Sequence, residues 1–198
     1  MSDKFAIYFD GGFVCKILKS FLHKNIVVSD LENVLNLIKS SDELKGKELL
    51  RAYYYDSPPF KGKTKNPQTN EEVDFGTSDT YKRQMSFHES VKFHSDFALR
   101  SGDLKFRGWK QNPKGEFLPD FQQKGVDVKI ALDIAQMSMK RVIDAAVLFS
   151  GDIDITPALK LARREGIRVY YVNVLNAKSM FVGDEVKIHS DGVINIAL

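Results

Sequence analysis

The chain is nearly devoid of cysteine. Cys15 is the one thiol among 198 residues, so no disulfide can form within it and no cysteine-built zinc site is available. Long apolar runs are also missing, and nothing approaches the ~20 residues needed to cross a bilayer. The start, Met1-Ser2-Asp3-Lys4, leads straight into a strand-like run and is no signal peptide, so a cytoplasmic location and no membrane partner are expected. Charge of one sign does not dominate. A net charge of +3 and a pI near 8.8 permit an anionic partner such as nucleic acid without demanding one. There is no internal repeat, low-complexity tract, P-loop, dinucleotide fingerprint or nucleophile elbow. The histidines His23, His88, His94 and His189 are scattered, and no pair of them has metal-ligand spacing together with a carboxylate on the same face. His88 and Lys92 share a helix face, which reads as surface or satisfied core.

What is present is an ordinary globular composition, 43% hydrophobic and 28% charged, at a length that suits one α/β domain and is short for two. Phe5 to Phe9 is apolar on both faces and ends at Asp10-Gly11-Gly12, as a central parallel strand does. Val14, Ile17, Leu18 and Phe21 predict a helix, and Ser29 with Glu32 predicts a capped second one through Ile38. Leu49 to Asp56 is the next strand, stopped by Ser57-Pro58-Pro59, and its tyrosines read as sheet packing. Residues 60–78 are basic and rich in turn formers, and are expected to form an exposed loop. A helix is expected from Asp79 to about Asp96. A hairpin insertion near 97–115 is expected to join Phe97–Arg100 to Leu104–Trp109 through Ser101-Gly102-Asp103. Val128, Ala131, Leu132, Ala135 and Met139 predict the apolar stripe of a helix opened by Lys124-Gly125-Val126-Asp127. Strand Ala145–Phe149, helix Pro157–Arg164 with Gly166 just past its end, and strand Ile167–Asn173 follow, with an edge strand or strand pair at the C-terminus. This alternation predicts an α/β fold, with helices on both faces of a mostly parallel sheet.

In such a sheet, ligands bind at the carboxyl ends of strands where the strand order reverses. Asp10, Asp56 and Asp152 all lie just past the carboxyl ends of apolar strands. If the strands before Asp10 and Asp152 are neighbours, ~4.8 Å apart, their carboxylates face each other. Asp154 lies in the same turn as Asp152, and Asp127, in a helix first turn, can point to the same edge. Crowded carboxylates repel unless a divalent cation binds, and Mg²⁺ or Mn²⁺ prefers such oxygen donors. Each residue has a plainer alternative. Asp154 or Thr156 could cap the helix that starts at Pro157, which is the favoured reading for Thr156. Asp127 could simply complement a helix dipole.

Phe9-Asp10-Gly11-Gly12, Lys124-Gly125-Val126-Asp127 with Asp133, and Leu148 through Pro157 resemble the three signature blocks of the NYN domain family. More narrowly they are similar to its LabA-like (DUF88) branch, within the PIN-like nuclease superfamily. Arg51–Asp56 and Arg164–Val169 are similar to that branch as well. The resemblance covers about residues 4–175 and implies a three-layer α/β/α sandwich, with residues 1–198 as one PIN-like domain. It implies a nuclease, specifically a ribonuclease that hydrolyses phosphodiester bonds with a metal-activated water. Asp10, Asp127, Asp152 and Asp154 would be the catalytic and metal-binding acids for Mg²⁺ or Mn²⁺, and Ser150 would hold the turn or a water. Asp133 stands about 120° around its helix from Asp127 and is left out of the ligand set. One departure stands out: where many members carry asparagine, this chain has Phe13, which favours a catalytically weak or inactive module that binds RNA or a regulatory protein. A phosphatase-type reading lacks the Asp-x-Asp pattern at the first strand and ranks last.

RNA is the expected partner, with a homodimer left open. Lys105 and Arg107, with Lys61, Lys63, Lys65, Lys110 and Lys114, are candidates for a phosphate path, and Trp109 for base stacking. A solvated basic loop and a Trp packed in a hairpin are favoured over that path. Lys124 either touches phosphate or pairs with an acid, the latter preferred.

Overall fold

The computed structural model describes residues 3–175, 177 and 181–198. Met1 and Ser2, part of the N-terminal reading above, lie outside them. The chain begins with β1 (Lys4–Asp10), α1 (Gly11–Leu22), α2 (Val28–Lys39) and β2 (Glu48–Asp56). Two short strands follow, β3 (Lys63–Lys65) and β4 (Glu72–Asp74), then α3 (Asp79–Phe93), β5 (Phe97–Ser101), β6 (Asp103–Gln111) and β7 (Phe117–Lys124). The last part is α4 (Val126–Met139), β8 (Ala145–Phe149), α5 (Thr156–Arg164), β9 (Arg168–Val174), α6 (Asp184–Ile188) and β10 (Gly192–Ile196).

β1 is buried from Phe5 to Phe9. A strand apolar on both faces needs cover on both, and the alternation of side chains divides the work. Phe5, Ile7 and Phe9 enter one core with Val14, Ile17 and Leu18 of α1, Leu31 and Leu35 of α2 and Val91 of α3. Ala6 and Tyr8 enter the other with Ile130 and Ile134 of α4, Leu159 of α5 and Val186 of α6. Each fully buried side chain of this size contributes about 1.5–3 kcal/mol of transfer free energy. The three adjacent tyrosines are divided in the same way, Tyr54 to the first core and Tyr53 and Tyr55 to the second.

The central sheet is six-stranded, in the order β10-β9-β8-β1-β2-β5, and every neighbouring pair is parallel. The chain builds outward from β1 to β2 and β5, then returns to the other side of β1 with β8. The reversal therefore falls between β1 and β8. Phe9 is in register with Phe149, so Asp10 and Ser150 leave the sheet side by side. This is the α/β sandwich that the sequence predicts, with β10 as its edge strand.

Four local expectations are corrected. Ser101-Gly102-Asp103 does not close a hairpin. Phe97 is buried, and β5 instead pairs with Ala52–Asp56 as the sheet's edge. Gly102 is there for space: a Cβ would meet Ser57 Oγ and Val126 at 2.8 Å, and the Lys124 carbonyl at 2.9 Å. The hairpin is β6–β7, turning at Asn112-Pro113-Lys114-Gly115, where Gly115 has φ +83° and Asn112 Oδ1 accepts the Lys114 and Glu116 N–H groups.

The stretch 60–78 holds the β3–β4 ribbon, pinned by Phe60 and Phe75 against Phe106 and Phe121 with ring centroids 5.4–5.7 Å apart. Trp109 joins this aromatic cluster, 6.1 Å from Phe75.

On α4 the stripe is displaced. Val126, Ile130, Ile134 and Ser138 face the sheet, while Val128, Leu132 and Met139 are more than 60% exposed. Two apolar rows share this helix, and periodicity alone does not select the one the sheet takes.

α2 starts at Val28 rather than after a Ser29 cap, with Asp30 reaching back to accept the Val27 N–H at 3.0 Å. At the end of α5, Gly166 has φ +86° and donates to the Arg163 carbonyl, as expected of a helix-terminating glycine.

Candidate functional site

At the reversal point the carboxyl ends of β1 and β8 open onto a cleft of about 510 Å³ lined by Asp10, Phe13, Lys16, Gln123, Asp127, Gly151, Asp152 and Phe181, among others. Asp10 is the N-cap of α1. Its Oδ1 accepts the Phe13 N–H at 3.2 Å, and its Oδ2 accepts the Ser150 hydroxyl at 3.0 Å. Ser150 is 1% exposed, and its Oγ also accepts the Asp152 N–H at 3.2 Å. One buried hydroxyl thus ties two strand ends together. Asp152 Oδ1 in turn accepts the Asp154 N–H at 2.9 Å, capping a single 3₁₀ turn at Ile153–Ile155.

Burial pushes the Asp10 carboxyl above its ordinary range, and the Asp152 charge adds to this. The Phe13 N–H and Ser150 hydroxyl pull the other way. Asp127 is raised too, first by burial and then by the charges of Asp152, Asp10 and Asp154. The four aspartates singled out in the sequence therefore feel one another across the site, although Asp154 is exposed and does not line the cleft.

Thr156 does not cap α5. It is the first helical residue, buried, and its Oγ1 has no hydrogen-bond partner among the described residues. Asp133 accepts from the Tyr55 hydroxyl at 2.8 Å and from Arg100 Nε at 3.2 Å, so its carboxylate is engaged with β2 and β5.

The donor set is all oxygen, which suits a hard divalent cation. Among the described residues no three or more acidic, His or Cys side chains stand together closely enough, as placed, to hold a metal ion. Asp10, Asp127 and Asp152 line the cleft together and are the residues that would hold such an ion. Relief of carboxylate repulsion would favour binding.

Lys105 and Arg107 lie on the outer hairpin, both exposed, with Arg107 Nη1 donating to Gln122 Oε1 at 3.2 Å. Neither lines the cleft, and nor does Lys124. Successive residues of a strand point oppositely, so Gln123, which faces the acids, sends Lys124 away. Lys16, Gln123 and Phe181 escaped the sequence reading. Lys16 had a usable signal, since it follows Gly12 by four residues and so shares its helix face. His88 is buried, with Nε2 within hydrogen-bond distance of Asp56 Oδ2 at 3.0 Å, a partner that the sequence did not suggest.

A parallel sheet whose reversal point gathers aspartates from separate segments matches a domain of the PIN-like nuclease superfamily. The NYN domain family profile matches residues 5–186, and the chain belongs to that family. An uncharacterized protein, y4oD, from Sinorhizobium fredii (strain NBRC 101917 / NGR234) is 37% identical over 76 residues, 38% of this chain. That match spans 33% of the relative's length. No helix among the described residues is long and apolar enough to cross a membrane.

Proposed function

We propose that the chain is a divalent-metal-dependent ribonuclease of the LabA-like branch, acting in the cytoplasm. One observation carries the reading: carboxylates from three separate segments converge at the sheet's reversal point, where burial and mutual repulsion raise Asp10 and Asp127. PIN-like nuclease domains generally use divalent metals, and NYN nucleases generally act on RNA. A bound Mg²⁺ or Mn²⁺ supplies water activation and neutralises charge on the phosphodiester. The chain's own residues do the rest. Asp10 is held in place by Phe13 and Ser150, Asp152 by its turn, and Asp127 comes from the first turn of α4. Asp154 steadies Asp152 through its backbone N–H and adds negative charge to the rim. Lys16 supplies a cation beside the acids for a phosphate oxygen.

The test is RNA cleavage with Mn²⁺, with and without chelator, by wild type and Asp152→Asn. Wild-type cleavage that stops with either chelator or the substitution supports the reading, and equal cleavage by both proteins overturns it.

A second reading, an inactive RNA- or protein-binding module, is favoured by Phe13. Its ring packs edge-on against Phe149, centroids 6.1 Å apart, and makes an apolar part of the cleft wall. Calorimetric titration separates the two. No Mn²⁺ binding at millimolar metal, with the fold intact, favours the module.

A further inference from the structure

The acid cleft is not closed on its α1 side. Gly12 and Lys16 line it and also line a second recess of about 440 Å³, set between α1 and the first turns of α3. Gly12 forms the saddle between the two. A Cβ there would meet nothing nearer than Gln123 Oε1 at 3.5 Å and Asp10 Oδ1 at 3.6 Å. The saddle is low because this residue has no side chain.

The rim of the recess is basic. Lys16, Lys19 and Arg83 line it, and among the described residues none of the three is ion-paired with an acid. Arg83 Nη2 donates to Thr80 Oγ1 at 3.3 Å, which turns the guanidinium back toward the start of α3. The acid in the recess, Asp56, is already engaged by the protein. Its Oδ1 accepts the Ser57 N–H at 2.8 Å and Gln123 Nε2 at 3.2 Å, and His88 Nε2 stands 3.0 Å from Oδ2. The three exposed cations thus outnumber the one acid that lines the recess. Lys63, by contrast, is paired with Glu72 and Asp74.

We infer that a single strand of RNA runs through both depressions. Its reacting phosphodiester lies at the acids, its backbone crosses Gly12, and the flanking phosphates rest on Lys16, Lys19 and Arg83. The acid end of this path rests on the ribonuclease reading; the basic end stands on the recess itself. A flexible strand can lower its backbone into a recess between two helices, whereas an A-form duplex is a rod that touches only the rim.

The experiment is fluorescence anisotropy in chelator with a labelled RNA of about eight nucleotides, within the span that single-strand grooves cover. Wild type is compared with the double variant Lys19→Glu/Arg83→Glu and with Gly12→Leu. The charge variant is expected to bind roughly tenfold or more weakly. Its slope of log affinity against log salt should shrink by about 1.4, at 0.7 for each of two phosphates lost. Gly12→Leu should weaken binding with the slope kept, because it blocks the path without removing charge. Wild type should prefer the single strand over a duplex of equal length. Unchanged affinity and slope in the charge variant, equal binding of duplex, or no RNA binding by wild type overturns the path. Because binding is read without metal, wild type that binds in this way but never cleaves leaves the path standing and removes the ribonuclease reading alone.

Discussion

The Ser150 hydroxyl donates to Asp10 Oδ2 at 3.0 Å across a sequence separation of 140 residues. The same oxygen accepts the Asp152 N–H, so one buried atom sets the relative position of the two strand-end acids. Ser150→Ala removes the donor that favours ionised Asp10 inside its buried setting and takes from the half-buried Asp152 N–H its acceptor. A loss of about 1–2 kcal/mol is expected, the cost of one unmet polar group, read as a lower urea midpoint at unchanged slope.

The raised Asp10 and Asp127 carboxyls give a pH signature. A group whose folded pKa lies above its unfolded value contributes stability below the unfolded pKa and loses it as pH rises through the folded one. Ionised Asp127 is thus a burden on the metal-free protein at neutral pH. Asp127→Asn, melted in chelator, should have a higher Tm than wild type at pH 7, and the difference should vanish as pH falls toward about 4. A constant difference across that range would refute ionisation of Asp127, disfavoured by burial and by the neighbouring acids, as the cause.

Gly11 is held to glycine by contact. A Cβ would sit 2.7 Å from the Tyr55 carbonyl and 2.8 Å from the buried Tyr54 ring, neither of which can yield cheaply. Gly11→Ala should cost about 1–3 kcal/mol, as overpacking does. At 2–4 °C per kcal/mol for a chain of this size, calorimetry resolves it readily.

Asp133 separates a structural acid from a catalytic one. Asp133→Ala strips the Tyr55 hydroxyl and Arg100 of their acceptor. About 1–3 kcal/mol of stability should be lost while metal-dependent RNA cleavage, measured well below the melting temperature, stays within twofold. A large fall in cleavage by folded protein would instead place Asp133 in the reaction.

The layered α/β fold was legible because its signals are local and strong. Phe5–Phe9 and Ala145–Phe149 are continuously apolar and end in polar turns, a pattern suited to a strand covered on both faces. Asp10 and Asp152 could be named for a related reason, since strand ends in a parallel sheet share one edge, whereas Asp127 was named from its place in a helix first turn. The face of α4 was not legible, because Val128–Leu132 and Ile130–Ile134 are both apolar rows and only docking against β1 chose between them. The hairpin was misplaced because Gly102 looks the same in sequence whether it makes a turn or makes room. Lys16 shares the helix face of Gly12 in the sequence, but that this face meets the acids, like the placing of Gln123 and Phe181, follows only from the crossing of α1, the outer hairpin and a distant loop. Local patterning, then, determined the strands, the sheet edge and the acids delivered to it. Tertiary packing alone decided which of two apolar faces is buried, which glycine is steric, and which cations stand beside the acids, because each depends on contacts between segments that no local period encodes.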